Sequence, residues 1–263
     1  MQHIGVSTKA YFGYSQTLDW LAEVRETVQA RPGLNAAGIV PFVIPSSPVL
    51  AAALTLLNGT GVIVGAQDLS WSDGPLTGEV LAAMLAEMGV QLAELGHAER
   101  RSLFGETDAV IQRKHAAATA AGLTTLLCVG EDRRTDTWSA AAFCASQVEA
   151  VVPRDQATSI LIAYEPVWAI GADRPADPGY VNGVVTELRS RLHMGFPSLP
   201  VSIIYGGSAG PGLLGDLESV DGLFLGRFAH SAANLGTVLD EALARSEPGE
   251  SALITSSAST SAP

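Results

Sequence analysis

Eight short apolar segments, each followed by a stretch of helical composition, constrain the fold of this 263-residue chain more than any other feature. The segments are apolar throughout rather than alternating with polar residues, which is typical of parallel strands covered on both faces. They are His3–Thr8, Ile39–Val43, Gly61–Ala66, Gln91–Leu95, Thr124–Val129, Ile160–Tyr164, Val201–Tyr205 and Gly222–Leu225. The helical stretches that we single out between them are Thr17–Ala30, Pro48–Leu57, Thr107–Ala120, Trp138–Val151, Pro178–His193 and Ala232–Ala244.

This alternation predicts an α/β protein with one closed (β/α)8 barrel rather than two smaller domains. Strands that alternate with helices form parallel sheets, and eight such units in about 245 residues fit the usual size of a closed barrel. We assign residues 1–246 to a catalytic barrel domain. Residues 247–263 are rich in Ser, Ala and Pro, and we expect this tail to be disordered.

The balance of charge excludes several classes of partner. With 15 Lys and Arg against 27 Asp and Glu, the chain has a net charge of −12, so nucleic acid and anionic membrane surfaces are poor partners. The stretch 32–67 has no charged residue, but prolines and glycines interrupt it, so no membrane span is expected. The two cysteines, Cys128 and Cys144, are too few for a disulfide framework or a metal knuckle. Because the N-terminus is also unlike a signal peptide, we expect a soluble cytoplasmic protein.

Residues that can move protons or hold phosphate follow several of the predicted strands. In a closed barrel the chemistry takes place where the strands end and the loops to the helices begin. There the sequence supplies a cation, an imidazole, carboxylates and glycine-rich turns, namely Lys9, His97, Glu99, Glu165, Gly206-Gly207-Ser208 and Gly226-Arg227. A carboxylate removes a proton beside a carbonyl, a neutral imidazole polarises that carbonyl, and a lysine stabilises the oxyanion. Glycine-rich turns before helices present N–H groups to phosphate.

Each of these residues also has an ordinary structural interpretation. Taken singly, Lys9 is a solvated surface lysine, His97 a satisfied buried histidine, Glu165 a strand terminus and Gly206-Gly207 a turn. Their position at the strand ends of one predicted face favours a shared site instead. The set predicts proton abstraction next to the carbonyl of a small phosphorylated sugar.

Longer motifs around these residues resemble the triosephosphate isomerase family. They are Glu94-Leu-Gly-His-Ala-Glu-Arg-Arg101, Cys128-Val-Gly-Glu131, Ala163-Tyr-Glu-Pro-Val-Trp-Ala-Ile-Gly171, Tyr205-Gly-Gly-Ser208, and Gly65-Ala-Gln67 with Thr77-Gly-Glu79. The resemblance extends over nearly the whole chain, and the motif at 163–171 is its most specific part. It implies a TIM barrel with aldose–ketose isomerase activity that needs no cofactor and no metal.

The resemblance also implies a set of residue functions. Glu165 is the base that carries a proton between adjacent carbons, His97 is the neutral electrophile, and Lys9 faces the substrate oxygens. Glu99 lies beside Lys9 and His97, and residues 168–177 form a lid. The residues implied in binding the substrate and its phosphate are Ser7, Gly171, Gly206, Gly207, Ser208, Gly226 and Arg227. The loop 67–79 is implied to pack into a second copy of the chain, which predicts a homodimer.

Several positions depart from the family's usual pattern. Ser7 replaces an Asn, Ala98 replaces a Ser, Arg227 replaces a Gly, and the lid sequence at 172–176 differs. The proton-transfer residues are unchanged, so we expect the same chemistry in a reshaped pocket. Triosephosphate isomerase, which interconverts dihydroxyacetone phosphate and glyceraldehyde 3-phosphate, is the first interpretation. The alternative is an isomerase of a four-carbon ketose phosphate of the L-erythrulose 1-phosphate type, and a barrel that binds a phosphosugar without converting it is a third.

Overall fold

A computed structural model describes residues 1–246, and the tail expected at 247–263 lies outside these residues. The strands are β1 (Gln2–Ser7), β2 (Ile39–Ile44), β3 (Ile63–Ala66), β4 (Leu92–Leu95), β5 (Thr124–Val129), β6 (Ile160–Tyr164), β7 (Val201–Tyr205) and β8 (Gly222–Leu225). The helices are α1 (Tyr14–Gln29), α2 (Leu50–Leu56), α3 (Ala82–Met88), α4 (Ala98–Leu103), α5 (Asp108–Ala120), α6 (Thr137–Val151), α7 (Pro178–Gly195), α8 (Leu213–Asp216) and α9 (Ala232–Ser246). In this described part of the chain, no helix is long and apolar enough to cross a membrane.

The eight strands close into a barrel. Each strand pairs in parallel with the next, and β8 pairs with β1, where His3 lies opposite Gly222. The predicted α/β fold with a single closed (β/α)8 barrel is therefore confirmed. The strand bounds differ most at β3, which begins at Ile63 rather than Gly61, because Gly61 has a φ of +81° and still belongs to the preceding turn.

Four of the six predicted helices begin at other residues than the sequence predicts, and two of these, α5 and α6, differ by a single residue. Helix α1 begins at Tyr14 rather than Thr17, after an extended Gly13 that caps it without a side chain. The predicted helix at Pro48–Leu57 is a 3₁₀ turn over Ser47–Val49 followed by α2. The short helix α4 matters for the site because His97 caps its N-terminus.

The apolar core has two layers. The larger layer lies between the strands and the surrounding helices. The smaller layer fills the inside of the barrel and consists of Phe42, Ile44, Leu92, Leu126, Cys128, Leu161, Ala163, Ile204 and Phe224. Phe42 stacks on Phe224 with ring centroids 5.7 Å apart, directly over Gly5, where a Cβ would collide with the Phe42 ring. The inside of the barrel is thus packed rather than open.

A buried ion-pair cluster fixes the start of the loop 67–79. The ammonium group of Lys114 on α5 is almost fully buried and lies 2.6 Å from an Asp68 oxygen and against Glu106. Arg100 completes the cluster at 2.8 Å from Asp68 and 2.7 Å from Glu106. Because a buried charge is costly unless it is paired, this cluster attaches the loop firmly to α4 and α5.

Closure of the barrel requires a glycine at position 222. Gly222 has a φ of +141°, and a Cβ there would collide with the carbonyl oxygen of His3 on β1. We predict that Gly222→Ala lowers the free energy of unfolding by at least about 2 kcal/mol, because the backbone of two paired strands has to move apart. Gly215→Ala is the matched control, since nothing lies within 4 Å of a Cβ there. Equal denaturant midpoints for the two variants would contradict this account of the closure.

Candidate active site

The carboxyl ends of the strands surround a cavity of about 550 Å³. Nine residues singled out from the sequence line it, namely Ser7, Lys9, Glu99, Glu165, Gly171, Gly206, Ser208, Gly226 and Arg227. Two others lie behind the cavity wall. His97 is buried, and Gly207 packs so closely on the Tyr205 hydroxyl that a Cβ there would collide with it. The fold thus brings all eleven residues to one end of the barrel.

An imidazole and a carboxylate face each other at the base of this site. Nε2 of His97 lies 3.6 Å from Oε2 of Glu165, and neither atom has a hydrogen-bond partner within the described chain. Both side chains are buried. Gly206 gives the Glu165 carboxylate its space, because a Cβ at that position would lie 2.5 Å from Oε1. Both atoms are therefore available to interact with the same ligand.

The tautomer of His97 is fixed by the helix that it caps. The backbone N–H of Glu99 donates to Nδ1 of His97 at 3.1 Å. Nδ1 therefore accepts, so the ring is neutral and carries its proton on Nε2. A neutral imidazole that donates from Nε2 can polarise a carbonyl, while Glu165 is placed to receive a proton from the neighbouring carbon.

Lys9 is held in a strained backbone conformation at the edge of the cavity. Its φ is +47°, an uncommon value for a residue with a side chain. Its carbonyl accepts hydrogen bonds from Gln67 Nε2 at 2.9 Å and from Ser46 Oγ at 3.0 Å. Nζ donates to Glu99 at 2.7 Å. Desolvation opposes the charged form, but the hydrogen bond to Glu99 and the charges of Glu165, Glu99 and Glu94 outweigh it and raise the pKa of Lys9. The ammonium group therefore stays charged at neutral pH.

The segment 168–177 lies over the cavity and is held there by contacts at Ala169, Ala172 and Ala176. The N–H of Ala176 donates to the Tyr205 hydroxyl at 2.9 Å, and that hydroxyl donates to Gly207 O at 2.7 Å. Ser208 Oγ donates to the carbonyl oxygens of Ala169 and Ala172 at 2.9 and 3.0 Å. The hydroxyl of Ser208 is thus bound to the lid. Pro175, which has no N–H, stiffens the same segment.

Glu131 holds the other side of the lid, and sequence reasoning assigned it no function. Its buried carboxylate accepts hydrogen bonds from Trp168 Nε1 at 2.9 Å, from the Tyr180 hydroxyl at 2.9 Å and from the Tyr164 hydroxyl at 3.2 Å. Trp168 lies in the lid, whereas Tyr164 and Tyr180 belong to the rigid barrel. The carboxylate thus joins the lid to the frame of the barrel. The sequence signal for this role was a glutamate two residues after the end of β5, within the motif Cys128-Val-Gly-Glu131.

Arg227 extends toward the lid. Its Nη2 lies 3.7 Å from where a Cβ on Gly171 would stand, and the residue lines the cavity with Ser208 and Gly226. This side chain therefore points along the cavity wall rather than away from it. Lys9 and Arg227 are the two cations among the lining residues, which also include Glu99, Glu165 and Asp173.

A second, smaller cavity of about 310 Å³ shares Glu165 with the first. Ala98, Cys128 and Gly130 are among the residues that line it. Ser7 and Ala98, which both differ from the family's usual residues, therefore lie in different cavities. Ser7 lines the main cavity and Ala98 lines the smaller one. Of the described residues, none form a group of three or more His, Cys, Asp or Glu side chains that suits a metal ion.

Glu94 is a buried carboxyl below the main cavity that sequence reasoning did not single out. It lies in β4, and its side chain accepts a hydrogen bond from Ser7 Oγ at 3.0 Å. Burial raises the pKa of Glu94 to about 7; the charge of Glu165 adds to this effect, while the Ser7 hydrogen bond and the charge of Lys9 oppose it. The signal was a charged residue inside an otherwise apolar strand.

Comparisons with known proteins agree on one family. The chain matches the family model for triosephosphate isomerase over residues 2–242. The L-erythrulose-1-phosphate isomerase of Pectobacterium atrosepticum is 46% identical over 245 residues, which are 91% of this chain and 95% of that protein. The triosephosphate isomerase of Synechococcus sp. is 37% identical over 81% of this chain and 84% of its own length. The crystal structure of triosephosphate isomerase from Bartonella henselae has a TM-score of 0.76 at 28% identity, and covers 91% of this chain and 98% of its own.

The raised pKa of Glu94 predicts a pH-dependent stability. The folded chain keeps the Glu94 proton up to about pH 7, whereas the unfolded chain loses it near the ordinary value of 4.5. Between these values the unfolded state binds fewer protons, so the wild type loses stability as the pH rises, by about 3 kcal/mol in total. Glu94→Gln should remove this loss.

The measurement is the denaturant midpoint at pH 5 and at pH 8. Glu94→Gln should gain stability relative to the wild type as the pH rises from 5 to 8. Glu87→Gln, the same change at an exposed position on α3, should follow the wild type. A Glu94→Gln variant that also follows the wild type would show that Glu94 is ionised in the folded protein throughout this range.

Proposed function

The chain belongs to the triosephosphate isomerase family, and from that premise we propose that it isomerises a four-carbon ketose phosphate of the L-erythrulose 1-phosphate type. From the sequence alone, the three-carbon sugar phosphates were the first interpretation. The relative that is 46% identical over nearly its whole length is named for the four-carbon substrate, as is one from Mesorhizobium japonicum that is 36% identical. These names favour the alternative.

The observation that carries the isomerase chemistry is the placement of His97 opposite Glu165. In a 1-phosphorylated tetrulose, C2 is a carbonyl and C3 bears a hydroxyl group. Glu165 takes the proton from C3, and the electrons of that bond form the C2=C3 double bond of an enediolate. His97 and Lys9 stabilise the negative charge on the C2 oxygen.

The second half of the reaction returns the proton to the neighbouring carbon. Glu165 delivers it to C2, while the hydroxyl proton passes from the C3 oxygen to the C2 oxygen, so the carbonyl moves from C2 to C3. The shift leaves the overall oxidation state of the molecule unchanged, so the reaction needs no external oxidant or reductant. With a triose phosphate, the same shift interconverts a ketone and an aldehyde.

The phosphate would bind at the end of the cavity under the lid. We propose that the backbone N–H groups of Gly171, Gly207, Ser208 and the turn at Gly226 donate to the phosphate there. The Arg227 guanidinium would form an ion pair with the same phosphate. Lid contacts at Ala176 and Trp168 would keep water away from the enediolate. Such exclusion strengthens the electrostatic interactions inside the site.

We also propose that two copies associate through the loop 67–79, in a reducing compartment such as the cytoplasm. The tip of this loop at 72–75 is exposed, while its start is fixed by the buried cluster around Lys114. Cys128 and Cys144 are free thiols. Sedimentation equilibrium should give twice the chain mass of 27.2 kDa, and deletion of 73–76 should reduce it to the monomer. A wild-type monomer at micromolar concentration would contradict this proposal.

The substrate is tested by measuring kcat/KM for both classes of sugar phosphate. We expect efficient conversion of L-erythrulose 1-phosphate and a value for dihydroxyacetone phosphate that is several orders of magnitude below the diffusional ceiling of about 10⁸ M⁻¹s⁻¹. A higher kcat/KM for dihydroxyacetone phosphate than for L-erythrulose 1-phosphate would instead support the triosephosphate isomerase interpretation.

A barrel that only binds a phosphosugar is separated from an enzyme by Glu165→Asp. The shorter side chain withdraws the carboxylate from the reacting carbon, which should lower kcat about 100-fold and leave the affinity for inorganic phosphate nearly unchanged. Failure of the wild type to convert either sugar phosphate would favour the binding barrel instead.

Arg227→Gln tests the phosphate site. Because a hydrogen bond to a charged group contributes about 1.5–3 kcal/mol, we expect KM to rise tenfold or more and to depend less on salt. Arg25→Gln is the matched control, since Arg25 is an exposed arginine on α1. An unchanged KM in Arg227→Gln would place this side chain outside the phosphate site.

A further inference from the structure

Glu94 is the one Asp, Glu, Lys or Arg residue within the eight described strands. It follows the inward-facing Leu92 by two positions on β4, so its side chain also points into the barrel. Only 4% of the residue is exposed. A carboxyl in such a place is costly to bury unless it has hydrogen-bond partners, and the proposed proton transfer makes no use of it.

Ser7 connects this buried carboxyl to the cavity. Ser7 lines the cavity together with Lys9 and Glu165, and its Oγ lies 3.0 Å from Oε2 of Glu94. A serine hydroxyl has one proton and rotates freely about its C–O bond. The partner on its buried side therefore decides whether that proton points into the barrel or into the cavity.

We infer that Glu94 is a positioning residue, which in its protonated form turns the Ser7 hydroxyl proton toward the substrate oxygen. The inference rests on the proposed isomerase function and deepens it. When the Glu94 carboxyl carries a proton, it donates to Ser7 Oγ, and the Ser7 proton is free to stabilise the enediolate oxygen. When Glu94 is ionised, it draws the Ser7 proton away and leaves only lone pairs facing that oxygen.

The charges around Glu94 make the protonated form accessible near neutral pH. Lys9 and His97 face it from the ends of β1 and β4, Glu165 from the end of β6, and Cys128 from β5. Lys9 is already paired with Glu99 at 2.7 Å, and the base Glu165 has to be ionised to act. A second ionised carboxylate beside Glu165 would lack a cation of its own, and burial together with this repulsion holds the pKa of Glu94 at about 7.

The inference predicts a specific change in the pH profile of kcat/KM, which reports the ionisations of the free enzyme. The wild type should lose kcat/KM above about pH 7, approaching tenfold per pH unit. Glu94→Gln should lose this decline, because the glutamine amide donates to Ser7 at every pH. Ionisation of the substrate phosphate affects both profiles equally and cancels in their ratio. Glu87→Gln, at an exposed position, should retain the wild-type profile.

A double-mutant comparison shows whether Glu94 acts through Ser7. In a Ser7→Ala background, Glu94→Gln should no longer change the shape of the profile. If Glu94→Gln does not fold, Ser7→Ala alone carries the test, since it should also lose the decline above pH 7. A decline that persists in Glu94→Gln or in Ser7→Ala overturns the inference. A wild type without activity at any pH instead removes the proposed function and the inference with it.

Discussion

The pairing of β1 with β8 closes the barrel, and the position of every residue in the site depends on it. In a closed parallel barrel all strands end at one rim, so side chains that are far apart in sequence meet there. Lys9 follows β1, His97 follows β4 and Glu165 follows β6, yet their side chains meet at one end of the barrel. Glycines at the closest approaches make this possible, because Gly222 admits the β1 backbone and Gly206 admits the Glu165 carboxylate.

Charge distribution gives the site its character. The chain carries a net charge of −12, which on its own would repel a phosphorylated substrate. Beside the lid, Arg227 and the glycine-rich turns provide a local positive field, whereas Lys9 lies among the carboxylates Glu94, Glu99 and Glu165. In the proposed reaction this separation places the phosphate and the reacting carbons at different ends of the cavity, and it leaves Lys9 to compensate several negative groups.

The sequence was sufficient to predict the barrel, because eight apolar segments with helices between them fit few other folds. It also located Lys9, His97 and Glu165, since barrel chemistry lies after strand ends and long motifs surround these residues. Residues that act from within an element were missed. Glu94 lies inside β4, and Glu131 supports the lid through three side chains whose contacts only the folded chain brings together. The direction of the Arg227 side chain could not be predicted either, because it depends on how the lid places Gly171 beside it.

In the proposed reaction, Glu165 moves a proton between adjacent carbons of the bound sugar phosphate. The most direct test follows the conversion of L-erythrulose 1-phosphate in D₂O by NMR. Deuterium that reaches the Glu165 carboxyl from solvent should appear on the product carbon that was C2 of the substrate, and Glu165→Gln should abolish both turnover and labelling. Deuterium on any other carbon of the product, or turnover and labelling that persist in Glu165→Gln, would contradict proton transfer by Glu165.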